Sequence, residues 1–131
     1  MTGLLLAALL IGPVSGEVRL KPPGGAFAPL TTTQPADYGA TVDAVHGTAK
    51  IAPSAAQKAL AKGAEFTVTQ GDGVTVLRTT SCRGTFTVST RTGGFRTRTG
   101  KMTITARGDA RWEISRHCHY LRVLRGTVIG G

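Results

Sequence analysis

An all-β domain is the fold this sequence predicts, and three observations carry that expectation. Apolar and polar residues alternate with period two, most clearly in "EFTVTQ" (65–70), "VTVLRT" (74–79) and "ARWEIS" (110–115). Gly-rich punctuation separates such runs about every 8–12 residues. Gly, Thr and Val are plentiful while aromatics make up only 5%, a composition suited to many short strands. The 131 residues suffice for one small domain. A sandwich, a barrel or a short solenoid all fit.

The chain begins with an apolar run, "GLLLAALLIGPV" (3–14). A bilayer crossing takes roughly 20 residues, so the run is too short for a membrane helix. It ends in "VSG", which offers small-to-medium residues before a cut after Gly16. No Lys or Arg precedes it. Residues 1–16 are therefore expected to be an export signal, and 17–131 the mature β domain. A mis-assigned start codon and a buried first strand are the alternatives. No later stretch is long enough to span a membrane.

Strands follow in order. "EVRL" (17–20) and "AFAPL" (26–30) flank the Pro-Gly turn "KPPGG". "ATVDAV" (40–45) and "GTAKIA" (47–52) flank His46. Gly71-Asp72-Gly73 separates the two strands over 65–70 and 74–79 as a hairpin signal. "GTFTVST" (84–90) sets Phe86 and Val88 on one face, "KMTITA" (101–106) Met102 and Ile104, and "ARWEIS" Trp112 and Ile114. "YLRVLRGTVI" (120–129) closes the series. One segment predicts otherwise. "PSAAQKALAKG" (53–63) offers Ser54 as N-cap, Gln57 three residues on and Gly63 as stop, so a short helix is expected over 54–62. Lys58 and Lys62 would repel each other on it.

Taken together, "RTGGFRTRTGKMTITARGDARWEISRHC" followed by "LRVLRGTV" resembles the FecR-like domain, in the form found in secreted actinobacterial proteins. The matching parts are Phe95–Arg98, Thr103–Gly108, Trp112–Cys118 and Val123–Val128, and the likeness extends over about residues 17–128. The resemblance implies a non-enzymatic, all-β module. FecR-type signalling proteins carry a cytoplasmic segment and a membrane helix ahead of this domain. Here sixteen residues precede it, so a transmembrane signalling role is not expected.

Cys82 and Cys118 lie on different expected strands of a chain read as exported, which suggests one disulfide. The family's cysteine after its aromatic strand also pairs, which supports the bond. A loop of about 37 residues would stabilise the fold by roughly 3–4 kcal/mol. Two free thiols are the alternative. His117 and His119 flank Cys118 and would point to the face opposite it. A zinc site needs a third ligand. His46 is the only other histidine and no carboxylate pattern marks a partner, so no metal and no cofactor are expected. Arg107-Gly108-Asp109 reads as a turn ahead of the adhesion motif it also spells.

Catalysis finds little support. The acidic residues are scattered, and no Gly-x-Ser-x-Gly elbow occurs. A small secreted hydrolase using His117 or His119 with Glu113, or a metal-binding protein, is the outlying alternative. Charge is more informative. Residues 1–77 are neutral overall, and residues 78–131 hold the whole excess of +9. Such a surface attracts polyanions. Arg96 and Arg98 share one strand face, and Arg122 is expected to be exposed, so these three are the candidate ligand-binding residues. The function expected is a secreted, non-catalytic FecR-like binding or structural module at the cell surface, its partner an acidic envelope polymer or another surface protein. A dedicated polyanion binder is the first alternative.

Overall fold

The described part of the apolar run, Leu9–Val14, enters the fold as a strand. In the computed structural model, which describes residues 9–80, 84–100, 102–115 and 120–130, the first strand β1 spans Leu9–Lys21. The others are β2 (Ala28–Pro29), β3 (Gln34–Ala36), β4 (Thr41–Ser54), β5 (Gln57–Lys62), β6 (Glu65–Gly71), β7 (Val74–Thr79), β8 (Phe86–Thr90), β9 (Phe95–Thr99), β10 (Met102–Ala106), β11 (Ala110–Ser115), β12 (Tyr120–Gly126) and β13 (Ile129–Gly130). They form one sheet that curls into a half-barrel, and the described residues contain no helix. The all-β expectation holds.

β1 and β4 pair antiparallel along their length, and both change the parity of their buried residues half-way. Leu9 and Ile11 are buried in β1, then Val18 and Leu20; in β4 Val42 and Ala44 are buried, then Ala49 and Ile51. Two register slips, at Pro13/Ser15 and Glu17/Arg19, cause the change. Each inserts a residue and re-aims the side chains beyond it. A Cβ on Gly47 would lie 2.6 Å from the backbone oxygens of Ser15 and Glu17, so only glycine fits this crossing. The expected break at His46 is thus a bend inside one strand. β1 begins eight residues ahead of Glu17, the expected start of the domain, so a cut after Gly16 would take Leu9 and Ile11 out of the core.

The bend divides the sheet into two wings. The second half of β4 continues into β5, β8, β11 and β12, and its first half into β6, β7, β9, β10 and β13. The wings face each other. Trp112 of β11 is fully buried and its Nε1–H donates to Thr97 Oγ1 of β9 at 3.1 Å. Phe66 of β6 lies 5.4 Å from Phe86 of β8, centroid to centroid. Chain direction requires this arrangement. β7 and β9 pair in parallel, so the chain between them must cross over, and β8 makes that crossing in the opposite wing.

The short helix expected over 54–62 is not formed; that segment turns and then runs as β5. Ala55 and Ala56 form a two-residue hairpin loop between the paired Ser54 and Gln57, and Ser54 Oγ accepts the Ala56 N–H at 3.2 Å. The signals read as caps are turn residues here, because Ser and Gly serve both purposes. Ala59 and Ala61 are buried while Lys58 and Lys62 are exposed, so the alternation suits a strand, and packing overrides helix propensity. The hairpin at Asp72-Gly73 forms as expected, with φ of 54° and 78° at its two residues. Cys82, Cys118, His117 and His119 lie outside the described residues.

Candidate functional site

The outward face of the β4–β5–β8–β11–β12 wing gathers basic side chains from β4, β5, β11 and β12, and from Arg91 just past β8. Register sets them in rows across the sheet. One row runs Lys50, Leu60, Ser89, Arg111, Arg125. The next runs Thr48, Lys62, Thr87, Glu113, Arg122. Lys58 and Arg91 lie at the end of the wing, beside the first row. Neighbouring strands stand about 4.8 Å apart and alternate residues about 6.6–7 Å apart along a strand. Seven cations therefore share a shallow plane with two acids, Asp109 and Glu113. The inward residues of the same strands are apolar (Ala59, Ala61, Val88, Trp112), so core packing holds the plane in place.

Local bonds fix the cations at one end. Thr90 Oγ1 donates to the Lys58 carbonyl at 2.8 Å and accepts the N–H groups of Thr92 and Gly93 at 3.2 and 3.1 Å. The Lys58 N–H in turn donates to Thr92 Oγ1 at 3.2 Å. The β8–β9 turn is thereby stitched to β5. Asp109 accepts from Arg125 Nε at 2.6 Å and from Arg91 Nη1 at 3.2 Å. The Arg125 hydrogen bond holds the Asp109 carboxyl below its ordinary range; desolvation opposes it, and the Arg91 hydrogen bond and both positive charges add to the downward shift. Arg122 and Glu113 stand 3.7 Å apart. These acids neutralise part of the face and leave Lys50, Lys58, Lys62 and Arg111 without an acidic partner in the described ion pairs.

The opposite wing carries a different outward face. One row runs Thr41, Thr67, Arg78, Arg98, Thr103, and another Thr69, Val76, Arg96, Thr105. Arg96 is half-buried, donates from Nε to Thr105 Oγ1 at 3.0 Å and stands 3.6 Å from Asp72. Arg19 grips Asp43 through Nε and Nη2, at 3.1 and 2.5 Å. Burial raises the Asp43 carboxyl, but the Arg19 hydrogen bond, the Val45 N–H and nearby positive charge outweigh it and the net shift is downward. Arg78 and Arg98, side by side on this face, have no acidic partner in the described ion pairs.

The three arginines singled out by sequence divide between these faces. Arg96 and Arg98 do share a strand face, on the threonine-rich wing. Arg122 is exposed as expected, but on the other wing. Lys50, Lys58 and Lys62 are not among the ligand-binding residues expected from sequence, because they lie in the half with no net charge. Strand order brings them beside Arg111, by placing β5 between β4 and β8. Arg107-Gly108-Asp109 forms the β10–β11 connection, as the turn reading expects, and Asp109 is committed to Arg91 and Arg125. Among the described residues no three of His, Cys, Asp and Glu converge, and no helix is long and apolar enough to cross a membrane. Compared with family models, curated proteins and solved structures, the chain matches none of them.

Proposed function

We propose that this protein is a non-catalytic binding module that holds acidic polymers on the outward face of its β4–β5–β8–β11–β12 wing. The observation that supports it is the gathering of seven cations, drawn from both halves of the chain, onto one plane with two acids. Ammonium and guanidinium groups at strand spacing meet successive phosphate, sulfate or carboxylate groups of an extended polymer. Tyr120 is the face's single aromatic among the described residues, so stacking on bases contributes little and recognition is of the charged backbone. The resemblance to FecR-like domains agrees with a module that lacks catalysis. It also agrees with a position at the cell surface, with an acidic envelope polymer as partner, reached without a cut after Gly16 since Leu9 and Ile11 belong to the core. The Cys82–Cys118 disulfide belongs to the same proposal, and non-reducing peptide mapping tests it.

Binding to a fluorescent DNA duplex and to a teichoic-acid-type polyphosphate, measured across salt concentrations, tests the function. Affinity should fall steeply, with a logarithmic slope of about −3 or beyond for duplex, as several phosphates shed their counterions. A salt-independent affinity, or none at low salt, would contradict it.

A further inference from the structure

The basic face is not uniform. At its Arg91 end a cleft of about 280 Å³ opens between β5, β8 and β12, lined by Lys58, Leu60, Ser89, Arg91, Thr92 and Arg125. We propose that this cleft is a discrete subsite for a phosphate ester, such as the sugar-phosphate unit at the end of an acidic polymer. The inference rests on the polyanion reading of the face and sharpens it.

Three features of the cleft point to this ligand. The first is charge geometry. Lys58, Arg91 and Arg125 converge on one opening, and the two guanidinium groups are already bridged by a carboxylate, Asp109. A carboxylate held by two arginines shows the geometry that two oxygens of a phosphate would take up there. Asp109 is itself partly exposed, so an arriving dianion can compete with it for both arginines.

The second feature is rigidity. The hydrogen bonds that link Lys58 with Thr90 and Thr92 hold the two walls together. The turn that follows is tight. Gly93 and Gly94 have φ of 74° and 83°. A Cβ on Gly93 would overlap the Arg107 backbone, and one on Gly94 the Gln57 side chain. A pre-organised wall loses little entropy when a ligand arrives.

The third feature is the mixed lining. Leu60 stands in the same row as Ser89, so the cleft offers an apolar surface and a hydroxyl beside its cations. Inorganic phosphate uses only the cations. A phosphate ester uses the cations for its charge and the remaining surface for its organic part.

Calorimetric titration of the intact protein with glucose 6-phosphate, inorganic phosphate and glucose tests the proposal. Glucose 6-phosphate should bind at least fivefold more tightly than inorganic phosphate, and glucose should give no heat. Arg91→Ala should weaken the ester about tenfold, while Arg91→Lys, which keeps the charge and loses the fork, should fall between. Asp109→Asn should tighten it severalfold by removing the internal competitor. Lys62→Ala, on the face but outside the cleft, should weaken polymer binding and leave the ester unchanged. Equal affinity for ester and inorganic phosphate, or weaker ester binding in Asp109→Asn, would overturn the subsite. If the polymer binds and the ester does not, the subsite falls and the face stands. If the ester binds and the polymer does not, the broader reading of the face falls instead.

Discussion

The two wings are built alike and face the solvent differently. Each is a set of short, mostly antiparallel strands whose inward residues pack into one core. Outward, one wing shows Lys50, Lys58, Lys62 and Arg111 without acidic partners among the described ion pairs, while the other alternates threonines with arginines, sets acids beside Arg19 and Arg96, and leaves Arg78 and Arg98 without one. Strand pairing constrains the inward positions and leaves the outward ones to chemistry. The difference between the faces is therefore where function is to be sought, and experiments that treat the wings separately can break or sharpen the contrast.

The largest effect should come from the element the wings share. A chain that begins at Glu17 lacks Leu9 and Ile11, both buried, and leaves the second half of β4 unpaired on one edge. Burial of one such residue is worth about 2–5 kcal/mol, so losing both rivals the whole stability of a small domain. Circular dichroism during urea titration should show no cooperative unfolding for this truncation. A truncated chain as stable as the parent would return the apolar run to the role of a removable export signal.

Next is the tie between the wings. Trp112→Ala should cost about 3–5 kcal/mol. Thr97→Val should cost about 1–3 kcal/mol, because the buried indole N–H loses its acceptor. If the wings were independent, either change would destabilise only one of them by hydrogen exchange; both should lose protection together.

Charge reversal then separates the faces. Lys58→Glu with Arg111→Glu should weaken polyanion binding by at least tenfold. Arg78→Glu with Arg98→Glu should change it by about twofold or less, beyond the general loss of net charge, which long-range steering feels from either wing. The second pair should leave stability nearly unchanged, because it exchanges one like-charge pair for another. Arg78 and Arg98 lie side by side in the parallel β7–β9 register, and like charges opposite each other are unfavourable.

The smallest effect is on acid stability. Asp43 titrates below its ordinary range in the fold. Its contribution is complete above the unfolded carboxyl pKa of about 4 and disappears as pH falls through the lower folded value. Thermal melts from pH 6 down to pH 2 should lose stability in that window, and Asp43→Asn should flatten part of the loss. Asp109 shifts in the same direction but is exposed, so solvent screening makes its share smaller.

Much of the fold was legible in the sequence, because alternation is a local signal. Phe86, Val88, Trp112 and Ile114 are buried where period two places them, and Asp72-Gly73 turns where its backbone preference requires. The segment over 54–62 misled because Ala, Gln and Lys favour helix, and only tertiary pairing with β4 and β8 makes it a strand. The candidate face was hidden for the same reason. On a helix Lys58 and Lys62 would sit about 6 Å apart and repel. On a strand they stand about 13 Å apart, room enough for separate anions. Nothing local in the sequence says that β5 lies between β4 and β8. The N-terminal run was ambiguous because a buried strand and a short signal use the same residues.

Lysine footprinting tests the central claim most directly, because the lysines report on the wings without any mutation. Lys50, Lys58 and Lys62 belong to the basic face, and Lys21 lies at the end of β1, paired with Thr41. Acetylation rates should be measured by mass spectrometry with and without a saturating polyphosphate at low salt. Lys50, Lys58 and Lys62 should be protected severalfold while Lys21 reacts as before. Uniform protection of all four, or protection of Lys21 alone, would contradict a binding site on this wing.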